Sequence, residues 1–191
     1  LEKNNKMLVL YSTLISLNLF LSLIPILKNW KNIANVAFTI TSIVILQWML
    51  ACFMLWNSEN MLFWVKMAFF GPSFLPTSLY IFITHYPRKT MTLTPIKLIL
   101  LIGVSLFFAI SSLTDFIILD IESMSKVTFN FGHKLWSIYF LTFMSIIFIT
   151  IYKKIKTYTG QDQLRILYIA LGVILTISLA VVFNLILPLL G

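Results

Sequence analysis

The chain reads as an all-α membrane protein, a polytopic bundle of six transmembrane helices whose third helix is kinked at Gly71-Pro72 and Pro76. Three observations predict this. The 191 residues are 60% hydrophobic and 10% charged, too little polar surface to keep a soluble domain of this size dispersed. Apolar runs long enough to cross a bilayer recur along the chain, separated by short polar segments. The net charge of +8 sits in clusters between those runs, the pattern of loops at a membrane surface rather than of a nucleic-acid-binding face. The bilayer, with its anionic head groups, is the partner this charge implies.

In chain order, the first span runs from about Met7 to Leu27 and ends near Pro25 and the Lys28-Asn29-Trp30-Lys31 linker. It is of spanning length and lacks a small-residue cleavage site, so it is not read as a signal peptide. The second covers Ile33 to Trp56 and is closed by Asn57-Ser58-Glu59-Asn60. The third, Met61 to Thr84, organises the rest. It carries Lys66, a Gly71-Pro72 pair and Pro76. The two prolines cannot donate to the preceding turn, so the helix must bend or loosen there. Lipid cannot satisfy the freed carbonyls, which places this helix inside a bundle with hydroxyls or neighbours around the break.

A basic stretch, Pro87-Arg88-Lys89, leads through Thr94-Pro95 to a fourth span over Ile96 to Leu119. A polar segment, Asp120 to Lys134, precedes a fifth span over Leu135 to Tyr152. Lys153-Lys154-Ile155-Lys156 and a turn at Thr159-Gly160-Gln161-Asp162 then open a sixth, Leu164 to Leu190. No internal repeat or low-complexity linker divides the chain, so residues 1–191 are read as one domain.

Orientation follows from the cations. One side holds Lys28, Lys31, Arg88, Lys89, Lys97, Lys153, Lys154, Lys156 and Arg165, and the other only Lys3, Lys6, Lys126 and Lys134. The richer side faces the cytoplasm, which puts the N-terminus outside a multi-pass protein of the cell membrane. Six crossings leave Gly191 outside as well, so inward signalling requires a further crossing.

Ionisable residues inside a membrane are rare and face a bundle interior or a cavity. Lys66 lies roughly 9 Å inside the outer end of the third span, and Asp115 roughly 7.5 Å inside that of the fourth. The spans are antiparallel neighbours, so the two charges meet at similar depth and an ion pair between them offsets part of each desolvation cost. Snorkelling of Lys66, with Asp115 in the head-group zone, is the competing reading. Gln47 and Asn184 fall in the outer halves of their spans. They serve either as interhelical hydrogen-bonding groups or, with Lys66 and Asp115, as the lining of an outward-open ligand pocket. Trp56 and Trp64 suit an interfacial aromatic belt. His133 reads as an exposed histidine at a span edge with no carboxylate beside it in sequence.

The third span, Asn60-Met61-Leu62-Phe63-Trp64-Val65-Lys66-Met67-Ala68-Phe69-Phe70-Gly71 with Pro76 and Tyr80 to Tyr86, resembles the third helix of the seven-transmembrane N-terminal sensor region of bacterial histidine kinases. The shared pattern is a Trp-x-basic step, an aromatic-Gly pair, a proline and a closing Tyr. Gly160-Gln161-Asp162-Gln163-Leu164-Arg165 and the closing Asn184-Leu185-Ile186-Leu187-Pro188 resemble that region too. The resemblance implies the receptor part of a longer signalling protein, a homodimer responding to an external or in-membrane ligand. The family's seventh helix and cytoplasmic output module are not in these 191 residues.

Two other functions compete. Six spans also fit a small substrate-binding membrane subunit of a transporter, although no small-xxx-small face marks the first span and no inverted repeat is visible. A cysteine peptidase needs a base beside Cys52, which lies within a span while His85 and His133 lie at span edges. No His/Cys/carboxylate spacing fits a metal, no cofactor motif is present, and no catalytic residue is assigned.

Overall fold

A computed structural model of the chain describes residues 2–89, 94–123 and 126–181. It is 82% helical. The elements are α1 (Glu2–Lys28), α2 (Ile33–Asn57), α3 (Met61–Phe70), a 3₁₀ turn (Gly71–Ser73), α4 (Leu75–His85), α5 (Pro95–Ser112), β1 (Ile118–Ser123), β2 (Lys126–Phe129), α6 (Phe131–Thr157) and α7 (Gly160–Val181). α3, the 3₁₀ turn and α4 form one interrupted helix over Met61–His85. That helix and the segments Ile33–Leu55, Pro95–Ser112 and Phe131–Thr157 are each long and apolar enough to cross a membrane.

Four helices, α2, α3, α5 and α6, start where the sequence supplies a side-chain acceptor for the unpaired N–H groups of a first turn. Asn32 accepts from the Ala34 amide at 2.9 Å, Asn60 from Phe63 at 3.1 Å, and Asn130 from Phe131 at 2.7 Å. Thr94 does the same for α5, with Pro95 at the first helical position, where no N–H is needed.

The packing follows membrane rules. Between helices in lipid there is no hydrophobic drive, so association rests on close van der Waals contact and hydrogen bonds. Small side chains are accordingly inside: Ala34, Ala37, Ala51, Ala68, Ala109, Ser105 and Ser112 are all buried. Large apolar ones such as Leu21, Ile43, Phe107, Ile138 and Leu171 are exposed. α1 packs on α2, and α2 packs on both halves of the interrupted helix. α4 also packs on α6, and α6 on α7. The interrupted helix is the centre of the molecule. In its apolar window 72% of residues are buried, against 22–33% in the other three spanning helices.

The fourth apolar run departs from its expected course. It does not remain helical to Leu119: α5 ends at Ser112, residues 113–117 turn, and β1 begins at Ile118. β1 and β2 pair antiparallel, with Asp120 opposite Thr128 and Ile121 opposite Val127. The chain leaves the helix because Ile117 and Ile118, both fully buried, turn back into the bundle instead of continuing along lipid. The return is locked at its base. Asn130 N–H donates to the Ile117 carbonyl at 3.0 Å and Gly132 N–H to the Phe116 carbonyl at 3.1 Å. A Cβ at Gly132 would stand 2.3 Å from the Phe116 oxygen, so only glycine permits this approach.

The fifth apolar run is longer than expected, starting at Phe131 and extending to Thr157, and the sixth helix starts at Gly160. Residues 182–190 of the sixth expected span lie outside the described residues.

The molecule thus has two ends. One carries the hairpin and the start of α3. The other carries the basic residues, where the α4 terminus, the α6 terminus and the start of α7 meet.

Candidate functional site

The break in the central helix falls where the sequence places it. Residues Gly71–Ser73 form a 3₁₀ turn between α3 and α4, with Pro72 inside it and Pro76 in the first turn of α4. Gly71 itself is right-handed helical, at φ −59° and ψ −57°. Its lack of a side chain therefore serves space, not backbone conformation. The Gln47 carboxamide fills the position of the missing Cβ: a methyl there would meet Gln47 Oε1 at 1.8 Å and the Val44 carbonyl at 3.2 Å. Gln47 Nε2 donates to the Met67 carbonyl at 2.9 Å. A polar side chain of α2 is thus wedged against the last turn of α3.

On the opposite side, α5 and α6 hold the break with hydroxyl and indole groups. Ser73 Oγ donates to the Phe69 carbonyl at 2.8 Å and accepts from Trp136 Nε1 at 2.9 Å. The Tyr139 hydroxyl donates to the Ser73 carbonyl at 2.8 Å and pairs with Ser105 Oγ at 2.9 Å. Ser105 Oγ in turn pairs with Thr77 Oγ1 at 2.7 Å. Ser73, Thr77, Ser105, Trp136 and Tyr139 are all buried. This network meets the requirement that lipid imposes on an interrupted helix: protein partners must hold its irregular backbone.

Lys66 and Asp115 come together. Lys66 Nζ lies 2.7 Å from Asp115 Oδ1, with the lysine side chain 12% exposed and the aspartate 70% exposed. The expected pairing is present, but the geometry behind it differs from two facing helices. Asp115 stands in the turn beyond α5, and its backbone carbonyl accepts from Asn130 Nδ2 at 3.0 Å. The carboxylate caps the hairpin end of the bundle while the lysine reaches it from inside. Gln47 is bound to the carbonyl of Met67, the residue after Lys66, and is hydrogen-bonded to neither charge. Asn184 lies outside the described residues.

His133 is buried, not exposed. It is 7% accessible and is enclosed by aromatic rings, with centroids 4.1 Å from Phe129 and 5.6 Å from Phe69. Composition alone does not reveal this, because the hairpin carries Phe129 over it.

Lys154 is the functional residue that sequence reasoning missed. In the row Lys153-Lys154-Ile155-Lys156 it reads as one more loop cation, yet it is only 3% exposed. Its ammonium donates to the carbonyls of Ile83 and Tyr86, the latter at 2.7 Å, and lies 3.2 Å from that of Arg88 and 3.5 Å from that of Thr84. These are terminal carbonyls of α4 and of the segment after it, which includes the cis Tyr86–Pro87 peptide. A cation here satisfies acceptors that the helix leaves open and complements its negative dipole end. Beside it, Arg88 reaches Asp162 at 2.9 Å, and Asp162 also meets Arg165 at 3.3 Å. No signal in the sequence marked it: the expected fifth span stops at Tyr152, and only the structure continues α6 to Thr157 and so places Lys154 on the helix.

Among the described residues, no group of three or more His, Cys, Asp or Glu side chains is placed to hold a metal ion. Comparison with protein-family models, with curated proteins and with solved structures finds no match for this chain. What the arrangement offers chemically is a buried, interrupted helix clamped at three levels: an ion pair near its start, a hydroxyl network at its break, and a buried lysine at its end.

Proposed function

We propose that this chain is the membrane-embedded sensory region of a bacterial signal-transduction protein of the histidine-kinase type, relaying an external or in-membrane stimulus to a cytoplasmic output module. One observation carries the reading. The most buried helix of the bundle is also the broken one, and its two ends are held by different polar devices, Lys66–Asp115 and Lys154. A perturbation at the hairpin end that changes the bend at Gly71–Ser73 displaces the α4 terminus at the basic end. A stimulus shifts this equilibrium only by its differential affinity for the two bends. In this reading the chain crosses the membrane several times, the N-terminus and the hairpin lie outside, and the basic end faces the cytoplasm. Lys66, Asp115 and Gln47 belong to the stimulus-receiving half.

The gene downstream of Gly191 tests the function directly. The relay reading expects a seventh apolar span followed by a soluble output module. A stop codon immediately after Gly191 refutes it in favour of a small substrate-binding subunit of a transporter. Topology is tested separately with single cysteines in a Cys52→Ser background. Thr128→Cys is expected to react with an impermeant maleimide on intact cells, and Thr159→Cys only after lysis. The reverse pattern overturns the orientation.

A further inference from the structure

Two adjoining cavities, of about 330 and 360 Å³, run along α6 with Tyr80 of α4 as their floor; the first lies between α6 and α5, and the second is lined by the later turns of α6 and by Tyr158. Tyr80 of α4 and Ile146 of α6 line both, so they are parts of one groove. Its deep part is walled by Leu101 and Val104 of α5 and Phe143 of α6. Ile146 and Val104 are also partly exposed, at 40% and 39%, so the groove opens sideways to the surrounding bilayer. Its charged lining is confined to one end. Lys97 lies in the first turn of α5 and Lys153 near the end of α6, both at exposed positions.

Length and charge together select the occupant. From Phe143 to Lys153 the helical rise is about 15 Å, the depth of one leaflet of a hydrocarbon core about 30 Å thick. Cations at the mouth and only apolar side chains in the deep half match a molecule with an anionic head and a long apolar tail. A small soluble anion would engage the lysines and leave the apolar wall unused. A zwitterionic lipid would fill the wall without net attraction to the lysines. Lys154, which also borders the groove, does not supply the anchoring charge, because its donors are directed at backbone carbonyls.

We propose that this groove is a binding site for an anionic phospholipid of the basic-end leaflet, with an acyl chain laid along Val104, Phe143 and Ile146 and the head-group phosphate between Lys97 and Lys153. The bound lipid touches α4 at Tyr80, between the break and the Lys154 cap, so occupancy braces the lower half of the central helix. The site does not depend on the sensory reading, since it follows from the groove and its charges alone.

The test uses the full chain in a zwitterionic detergent, with lipid retention read by native mass spectrometry as phosphatidylglycerol or phosphatidylcholine of matched chains is titrated. Phosphatidylglycerol is expected to bind at least tenfold more tightly than phosphatidylcholine. Replacing both lysines, Lys97→Gln with Lys153→Gln, is expected to weaken phosphatidylglycerol by about 25-fold, roughly fivefold per lysine, and to leave phosphatidylcholine unchanged. Val104→Trp, which fills the deep part, is expected to weaken both lipids. Equal retention of the two lipids by the unaltered chain overturns the proposal whatever the variants do. So does undiminished phosphatidylglycerol binding by the double glutamine variant, or its displacement by millimolar inorganic phosphate, which would mark a site for a free anion.

Discussion

Gly71→Ala tests the packing at the break through the sign of its effect. Gly71 already has helical backbone angles, φ −59° and ψ −57°. On backbone grounds alone, alanine there should stabilise by about 1 kcal/mol. The surroundings oppose this. The added methyl would stand 1.8 Å from Gln47 Oε1 and 2.9 Å from Gln47 Cδ, so the carboxamide must leave. Its departure costs the bond to the Met67 carbonyl, worth about 1 kcal/mol net. Crowding the carboxamide out of its packed site adds overpacking strain of about 1–3 kcal/mol, whereas the Val44 carbonyl at 3.2 Å need give by only a few tenths of an ångström. The sum is a destabilisation of about 1–3 kcal/mol. In a Gln47→Ala background the main obstruction is gone, and the same Gly71→Ala change is expected to be neutral or mildly stabilising. The coupling between the two sites is then about 2 kcal/mol, well above the additivity error of distant sites. Sodium dodecyl sulfate titration in mixed micelles, followed by far-UV ellipticity, measures all four corners of the cycle. A stabilising Gly71→Ala in the native background, or an equal cost in both backgrounds, refutes the wedge of Gln47 against α3.

Two further perturbations are read by the same titration. Asp115→Asn is expected to cost more than Lys66→Met, by about 1 kcal/mol or more. The first strands a lysine that is 12% exposed, and the second leaves a carboxylate that is 70% exposed and solvated. The double change Lys66→Met with Asp115→Leu should be milder than the sum of its parts, and strictly additive effects would count against the pair. Lys154→Met removes a charged donor from the terminal carbonyls of α4 and is expected to cost about 2–4 kcal/mol. Lys153→Met, on the exposed neighbour, should stay within about 0.5 kcal/mol. Equal effects of these two lysines would show that Lys154 is not the cap.

Hydropathy and backbone chemistry, both local, determined a good part of this protein. Apolar length identified the membrane class and the helices that can span. The missing N–H groups of Pro72 and Pro76 located the break, and the cost of an uncompensated charge in hydrocarbon paired Lys66 with Asp115. Tertiary structure decided the rest. Phe116-Ile117-Ile118-Leu119 is as apolar as the helix before it, and hydropathy alone does not separate a continuing span from a buried turn and strand. The difference lies in Asn130 and Gly132, whose amides take the carbonyls of Ile117 and Phe116 from across the hairpin. Lys153 and Lys154 are the same residue type in the same row. One faces out, and the other is buried because carbonyls about 70 positions earlier in the chain (Ile83, Tyr86) converge on it. A side chain's burial in a membrane bundle depends on whether a distant backbone offers partners for its polar atoms. That is a property of the packed helices and not of the residues beside it in sequence.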